Sequence, residues 1–115
     1  MNNLLKFFFT GYQLLIFHGV CYTASNSEVP IAEFTEIIEK PDNQYDDEIE
    51  CAKACLQHRY SLNIGLRLKA CMYRTTDKKC LYTVNQELTI PYGDVSKKSA
   101  FCIIPQPLGK NEMYF

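Results

Sequence analysis

Six cysteines, Cys21, Cys51, Cys55, Cys71, Cys80 and Cys102, together with His58, are the residues of this 115-residue chain with chemistry to offer. Thiols in such a number ligate a metal, act as nucleophiles or pair as disulfides. Cys51, Cys55 and His58 lie on neighbouring turns of one helical stretch, and a Cys-x3-Cys-x2-His set could hold zinc. It supplies three ligands, one short of the usual structural set. A Cys–His nucleophile pair would also have to use His58, because His18 sits in the apolar N-terminal run. Half-cystines beside an exposed His58 are the better reading, with no metal and no cofactor expected.

Redox compartment follows from the N-terminus. Met1–Lys6 is a short polar start with one positive charge, and Phe7–Val20 carries no charge. Small residues then appear at Gly19, Thr23, Ala24 and Ser25. That order is the layout of a secretory signal peptide over residues 1–20. A membrane anchor needs ~20 predominantly apolar residues, and this run is broken by Thr10, Gly11, Gln13 and His18. A secreted, extracellular chain with no membrane span after signal removal is expected. In an oxidising compartment six cysteines form a disulfide framework, although many pairings are open on spacing alone. Cleavage after Gly19 keeps Cys21 and an even cysteine count. Cleavage after Cys21 or Ser25 discards it and leaves Cys102 to link a dimer. Even parity favours retention and a monomer.

Other catalytic patterns are missing. No Gly-x-Ser-x-Gly, His-Glu-x-x-His, glycine-rich phosphate loop or EF-hand pattern occurs, and the five glycines are scattered. Asp46, Asp47, Glu48 and Glu50 stand at a helix start, where acidic residues suit the helix dipole better than they suggest calcium. The formal net charge of −1 gives no reason to expect nucleic acid as a partner. These patterns do not describe an enzyme.

The elements that must position the cysteines can be placed coarsely. Ser25–Pro30 is a lead-in loop, and Ile31–Glu39 fits a helical stripe or an irregular strand. Asp47 followed by Glu50 has the form of a capping box, opening a helix over Asp47–Tyr60 with an apolar stripe of Ile49, Ala52 and Leu56. Cys51 and Cys55 leave the same side of it. Ala70–Tyr73 and Cys80–Val84 read as a hairpin around the polar turn Thr75–Lys78. Leu88, Ile90 and Tyr92 alternate with less apolar residues, Tyr92-Gly93-Asp94 turns the chain, and Ala100–Ile104 is a last strand stopped by Pro105 and Pro107. Residues 105–115 are read as a C-terminal tail. The fold class is α+β: one helix on a short antiparallel sheet, stapled by disulfides.

Glu50-Cys51-Ala52-Lys53-Ala54-Cys55-Leu56, then Cys71-Met72-Tyr73, then Lys79-Cys80-Leu81, resemble the PAN/apple domain family. The resemblance covers residues 21–104 at most, and its specific part is Glu50–Leu81. It implies that Cys51 pairs with Cys80 and Cys55 with Cys71, with an apple-type bridge from Cys21 to Cys102. It also implies an extracellular module that binds a protein or carbohydrate ligand, as in adhesion. The fifteen residues between Cys55 and Cys71 are more than is common in the family, which makes Tyr60–Leu68 a loop. A toxin-like or inhibitor effector displaying that loop is the alternative.

Charge is unevenly spread. Glu28 to Glu50 holds nine acidic residues against Lys40, whereas Lys53 to Phe115 holds ten basic against four acidic. Arg59, Arg67, Lys69, Arg74, Lys78 and Lys79 fall around the cysteine core as a candidate ligand-binding basic face, suited to sulfated glycans or acidic proteins. The same residues also fit an ordinary mixed-charge surface, the default for solvated charges.

Overall fold

The helix forms where the acidic cluster places it. In a computed structural model, which describes residues 4–9, 11–59, 67–88 and 93–107, α1 spans Glu48–Arg59. Asp47 Oδ1 accepts the Glu50 N–H at 2.9 Å, as an N-cap should. Glu50 reaches back one residue further than a standard capping box. Its Oε1 accepts the Asp46 N–H at 3.2 Å and the Lys40 ammonium at 2.9 Å.

These donors, the Lys40 hydrogen bond first, hold the Glu50 carboxyl below its ordinary 4.5. A carboxylate lowered in this way stabilises the fold above its ordinary value, and the contribution is lost as pH falls through the lowered one. The urea midpoint is therefore expected to fall as pH drops below about 4.5, and Glu50→Gln should flatten part of that fall. A midpoint whose acid response is the same in both proteins would show that the cap adds nothing.

The buried face of α1 is Cys51, Ala52, Ala54, Cys55 and Arg59. Ile49 and Leu56 of the expected stripe are only partly buried. Two disulfides turn the cysteine side inward, and the apolar stripe rotates with it.

Among the described residues the strands are β1 Leu4–Phe9, β2 Tyr12–His18, β3 Val20–Cys21, β4 Thr35–Glu36, β5 Ala70–Arg74, β6 Lys79–Thr83, β7 Gly93–Asp94 and β8 Ala100–Pro107. Six form an antiparallel sheet in the order β1-β2-β8-β5-β6-β4, and β3 pairs with β7 in a separate ribbon. The hairpin β5–β6 is the expected one, with Lys78 at φ +56° closing its turn. Ile31–Glu39 resolves into a 3-10 turn at Ile31–Glu33 followed by the short edge strand β4.

Period-two alternation serves both faces. Leu14, Ile16, Cys71, Tyr73, Cys80 and Ile103 point toward α1. Leu15, Met72, Leu81, Cys102 and Ile104 point the other way, where Val29, Phe34 and Leu88 cover them. The helix side is fastened by Cys51–Cys80 and Cys55–Cys71, and the opposite side by Cys21–Cys102. These are the pairings the family resemblance implies.

In the full chain the apolar run within residues 1–20 forms β1 and β2, with Leu14 and Ile16 at 0% exposure. Two expectations are corrected. Pro105 and Pro107 do not stop β8, which takes in the first three residues of the expected tail. The reason is strand alternation. Ala100 O accepts from the Gly19 N–H at 2.6 Å on the β2 side, and Ser99 O accepts from the Thr75 N–H at 2.9 Å on the β5 side. Even-numbered residues therefore turn their backbone groups to β2 and odd-numbered ones to β5. Both prolines are odd-numbered, and β5 has no pair for them in its register, so their missing N–H groups cost no ladder bond. Gly93-Asp94, expected to turn, is instead β7, and the turn follows at Asp94–Lys97. Gly19 makes this ribbon possible: at φ +113°, its added Cβ would fall on the Asp94 carbonyl. Ile90 and Tyr92 of the expected alternation, and the loop residues 60–66, lie outside the described residues.

Candidate functional site

The six basic residues picked out in the sequence do not make one face. Arg59 is buried under the helix end, donating from Nη1 to Leu68 O at 2.6 Å with its guanidinium 5.2 Å from the Tyr12 ring centroid. Such a cation is held in place by an aromatic face and a carbonyl, and it is not displayed to solvent. Arg67 and Lys69 lie before β5, at the opposite end of the hairpin from Arg74, Lys78 and Lys79, roughly 17 Å away at strand rise.

Arg74 and Lys79 are directly opposed across β5 and β6, so they share a sheet face. Each is engaged by its own carboxylate. Arg74 donates to Asp77 through Nε at 3.2 Å and Nη2 at 2.7 Å, and Lys79 Nζ lies 3.1 Å from Glu36 Oε2. Lys78, in the turn, is exposed.

The zinc alternative fails on availability: Cys51 and Cys55 are consumed in bridges to Cys80 and Cys71. His58 Nδ1 lies 3.2 Å from Glu39 Oε2, and its ring packs on Tyr82 at 4.7 Å.

Arg74 acquires a neighbour that the sequence does not link to it. On the face away from α1, a cleft of about 140 Å³ opens between the β5–β8 pair and the segment that passes over it. Val29, Met72 and Ala100 make its floor, and Val20 and Ile31 make its walls. Arg74 and Lys97 stand on the rim with Glu28 and Ser99.

Lys97 is placed by the Asp94 turn. Asp94 Oδ1 accepts from the Ser96 N–H and hydroxyl at 3.0 and 2.7 Å, Asp94 Oδ2 accepts from the Tyr22 hydroxyl at 2.8 Å, and Asp94 O accepts the Lys97 N–H at 2.9 Å. The Ser96 hydroxyl, the Ser96 amide and then Tyr22 hold the Asp94 carboxyl below its ordinary range. Lys97 donates to Glu28 Oε1 at 2.9 Å, and this bond holds its ammonium above the usual value. Lys97 therefore stays charged at neutral pH.

Met72, Ile31, Lys97 and Ser99 were missed as site residues. Only the register β5–β8, which sets Arg74 against Ala100, brings them together. A second depression, about 420 Å³ and shallow, runs along the outer side of α1 past Lys40, Glu50, Lys53 and Gln57. Its Lys40 and Glu50 are committed to each other in the helix cap.

No helix among the described residues is long and apolar enough to cross a membrane, and all six cysteines are paired. A small disulfide-rich domain of this kind is compatible with an extracellular location. No family model, curated protein or solved structure matches this chain.

Proposed function

We propose that this chain is a secreted, extracellular binding module of the PAN/apple type that recognises a protein or carbohydrate ligand, in an adhesion role. The observation that carries the reading is the bridge pattern. Two cysteines one helical turn apart tie α1 to the two strands of the hairpin, and the third bridge ties Cys21 to the last strand. Three covalent ties let so small a chain hold loops and a charged surface in fixed positions without a large core. Fixed presentation at low ordering cost is what a recognition surface needs.

Binding of the correctly oxidised protein to arrays of glycans and matrix proteins tests it. Saturable binding is expected, and it should weaken steeply with salt, because exposed charges are screened over ~8 Å at physiological ionic strength. Charge reversal at Arg74 and Lys78 should weaken binding roughly tenfold while leaving all three bridges formed. An absence of saturable binding on every array would overturn the binding-module reading. Salt-insensitive binding would overturn the role of the basic residues.

A further inference from the structure

We infer that the cleft on the face opposite α1 takes one apolar side chain of an acidic peptide segment, with Arg74 and Lys97 receiving the flanking carboxylates; the inference rests on the binding-module reading. Size sets the occupant first. A cavity of ~150 Å³ holds one benzene-sized group, so about 140 Å³ admits one branched aliphatic or aromatic side chain.

Chemistry decides the class. Floor and walls are the methyl, methylene and thioether groups of Val20, Val29, Ile31, Met72 and Ala100. A sugar ring seated on the floor would set hydroxyls against apolar groups, with polar partners only at the rim, which is costly. An apolar side chain meets no such penalty, and pockets of this kind bind with a mostly apolar lining and a few polar groups that orient the ligand. Ile31 is 52% exposed, so apolar surface stands open at the mouth and would be covered by a ligand.

Charge orients the occupant. Two cations and one carboxylate line the rim. Asp77 engages Nε and Nη2 of Arg74 and leaves Nη1 outside that pair. Both rim cations sit in pairs open to solvent, Arg74 with Asp77 half-buried and Lys97 with Glu28 exposed. Such pairs are weak in water, so a ligand carboxylate can share or replace them. A basic side chain on the ligand would meet Arg74 and Lys97 instead.

Met72 supplies the reporter, being one of three methionines and the one on the cleft floor. The full-length, oxidised chain labelled at its methionine methyls is titrated with a blocked Glu-Glu-Leu-Glu-Glu peptide, with the same peptide carrying serine for leucine, and with a sulfated disaccharide. The leucine peptide is expected to shift the Met72 methyl saturably. The serine peptide should bind at least about tenfold more weakly, since the apolar anchor is gone. Arg74→Glu and, separately, Lys97→Glu should each weaken the leucine peptide roughly tenfold. The far-UV circular dichroism and urea midpoint of both variants should stay close to those of the parent, which checks the fold.

Shifts from the sulfated disaccharide with Met72 unmoved by either peptide would overturn the cleft as a peptide site and leave the binding-module reading standing. A Met72 methyl that no probe moves overturns the inference as well, and the array result then judges the broader reading alone.

Discussion

Cys21→Ala/Cys102→Ala is expected to cost the most stability of any single bridge removal. The bridges join residues separated by 81, 29 and 16 positions. In the chain-entropy model these separations correspond to about 4.5, 3.6 and 3.1 kcal/mol for Cys21–Cys102, Cys51–Cys80 and Cys55–Cys71. Their sum is comparable to the whole stability of a typical domain, ~5–15 kcal/mol. All six sulfurs lie in fully buried residues, so each double alanine variant also leaves a similar small cavity and the order should survive. Urea unfolding of the three double variants checks it. Equal losses, or the largest loss from Cys55–Cys71, would show that the unfolded chain is already restricted at long range.

A chain that begins at Val20 is expected to lose far more than its length suggests. It lacks β1 and β2, and with them Leu14 and Ile16 from the core beneath α1. Core side chains of this size contribute roughly 2–5 kcal/mol each when deleted. Backbone alternation makes the effect readable residue by residue. The amides of Cys102, Ile104 and Gln106 face β2, whereas those of Phe101 and Ile103 face β5. Hydrogen exchange of the shortened protein should find the first set unprotected and the second still slow. Equal protection in both proteins would mean that β2 contributes no ladder to the sheet. Intact mass of the protein recovered from its native source then tells which of the two chains is present.

The contrast between helix and N-terminal strands shows what the sequence can display. The α1 cap is a local device, since the Asp46 and Glu50 amides and the Asp47 and Glu50 carboxylates that cap it lie within a few residues of one another, and hairpin β5–β6 is equally local. The cysteine pairs were reachable through the family resemblance, not through spacing. The run Leu14-Leu15-Ile16-Phe17 has the composition of a leader core and of a strand buried on both faces, and no periodicity separates the two. Its partner, β8, lies more than eighty residues away. Pro105 and Pro107 misled for a related reason, because the cost of a proline depends on which side of the strand carries a partner. Arg59 looked like surface charge because burial beside Tyr12 leaves no mark on its neighbours in the chain. The cleft is the extreme case: its lining comes from β3, the segment after it, β5, the Lys97 turn and β8.

The pairing of β2 with β8 sets the order of events in time. The first central strand to be made must wait for almost the last part of the chain before it has a partner. At synthesis rates of ~5–20 residues per second that delay is on the order of ten seconds. Meanwhile α1, β5 and β6, tied by the two shorter bridges, can assemble among themselves, since short loops close at the least entropic cost. Throughout the wait Leu14, Leu15 and Ile16 have no sheet to enter. They are open to any export or chaperone machinery that recognises an apolar segment.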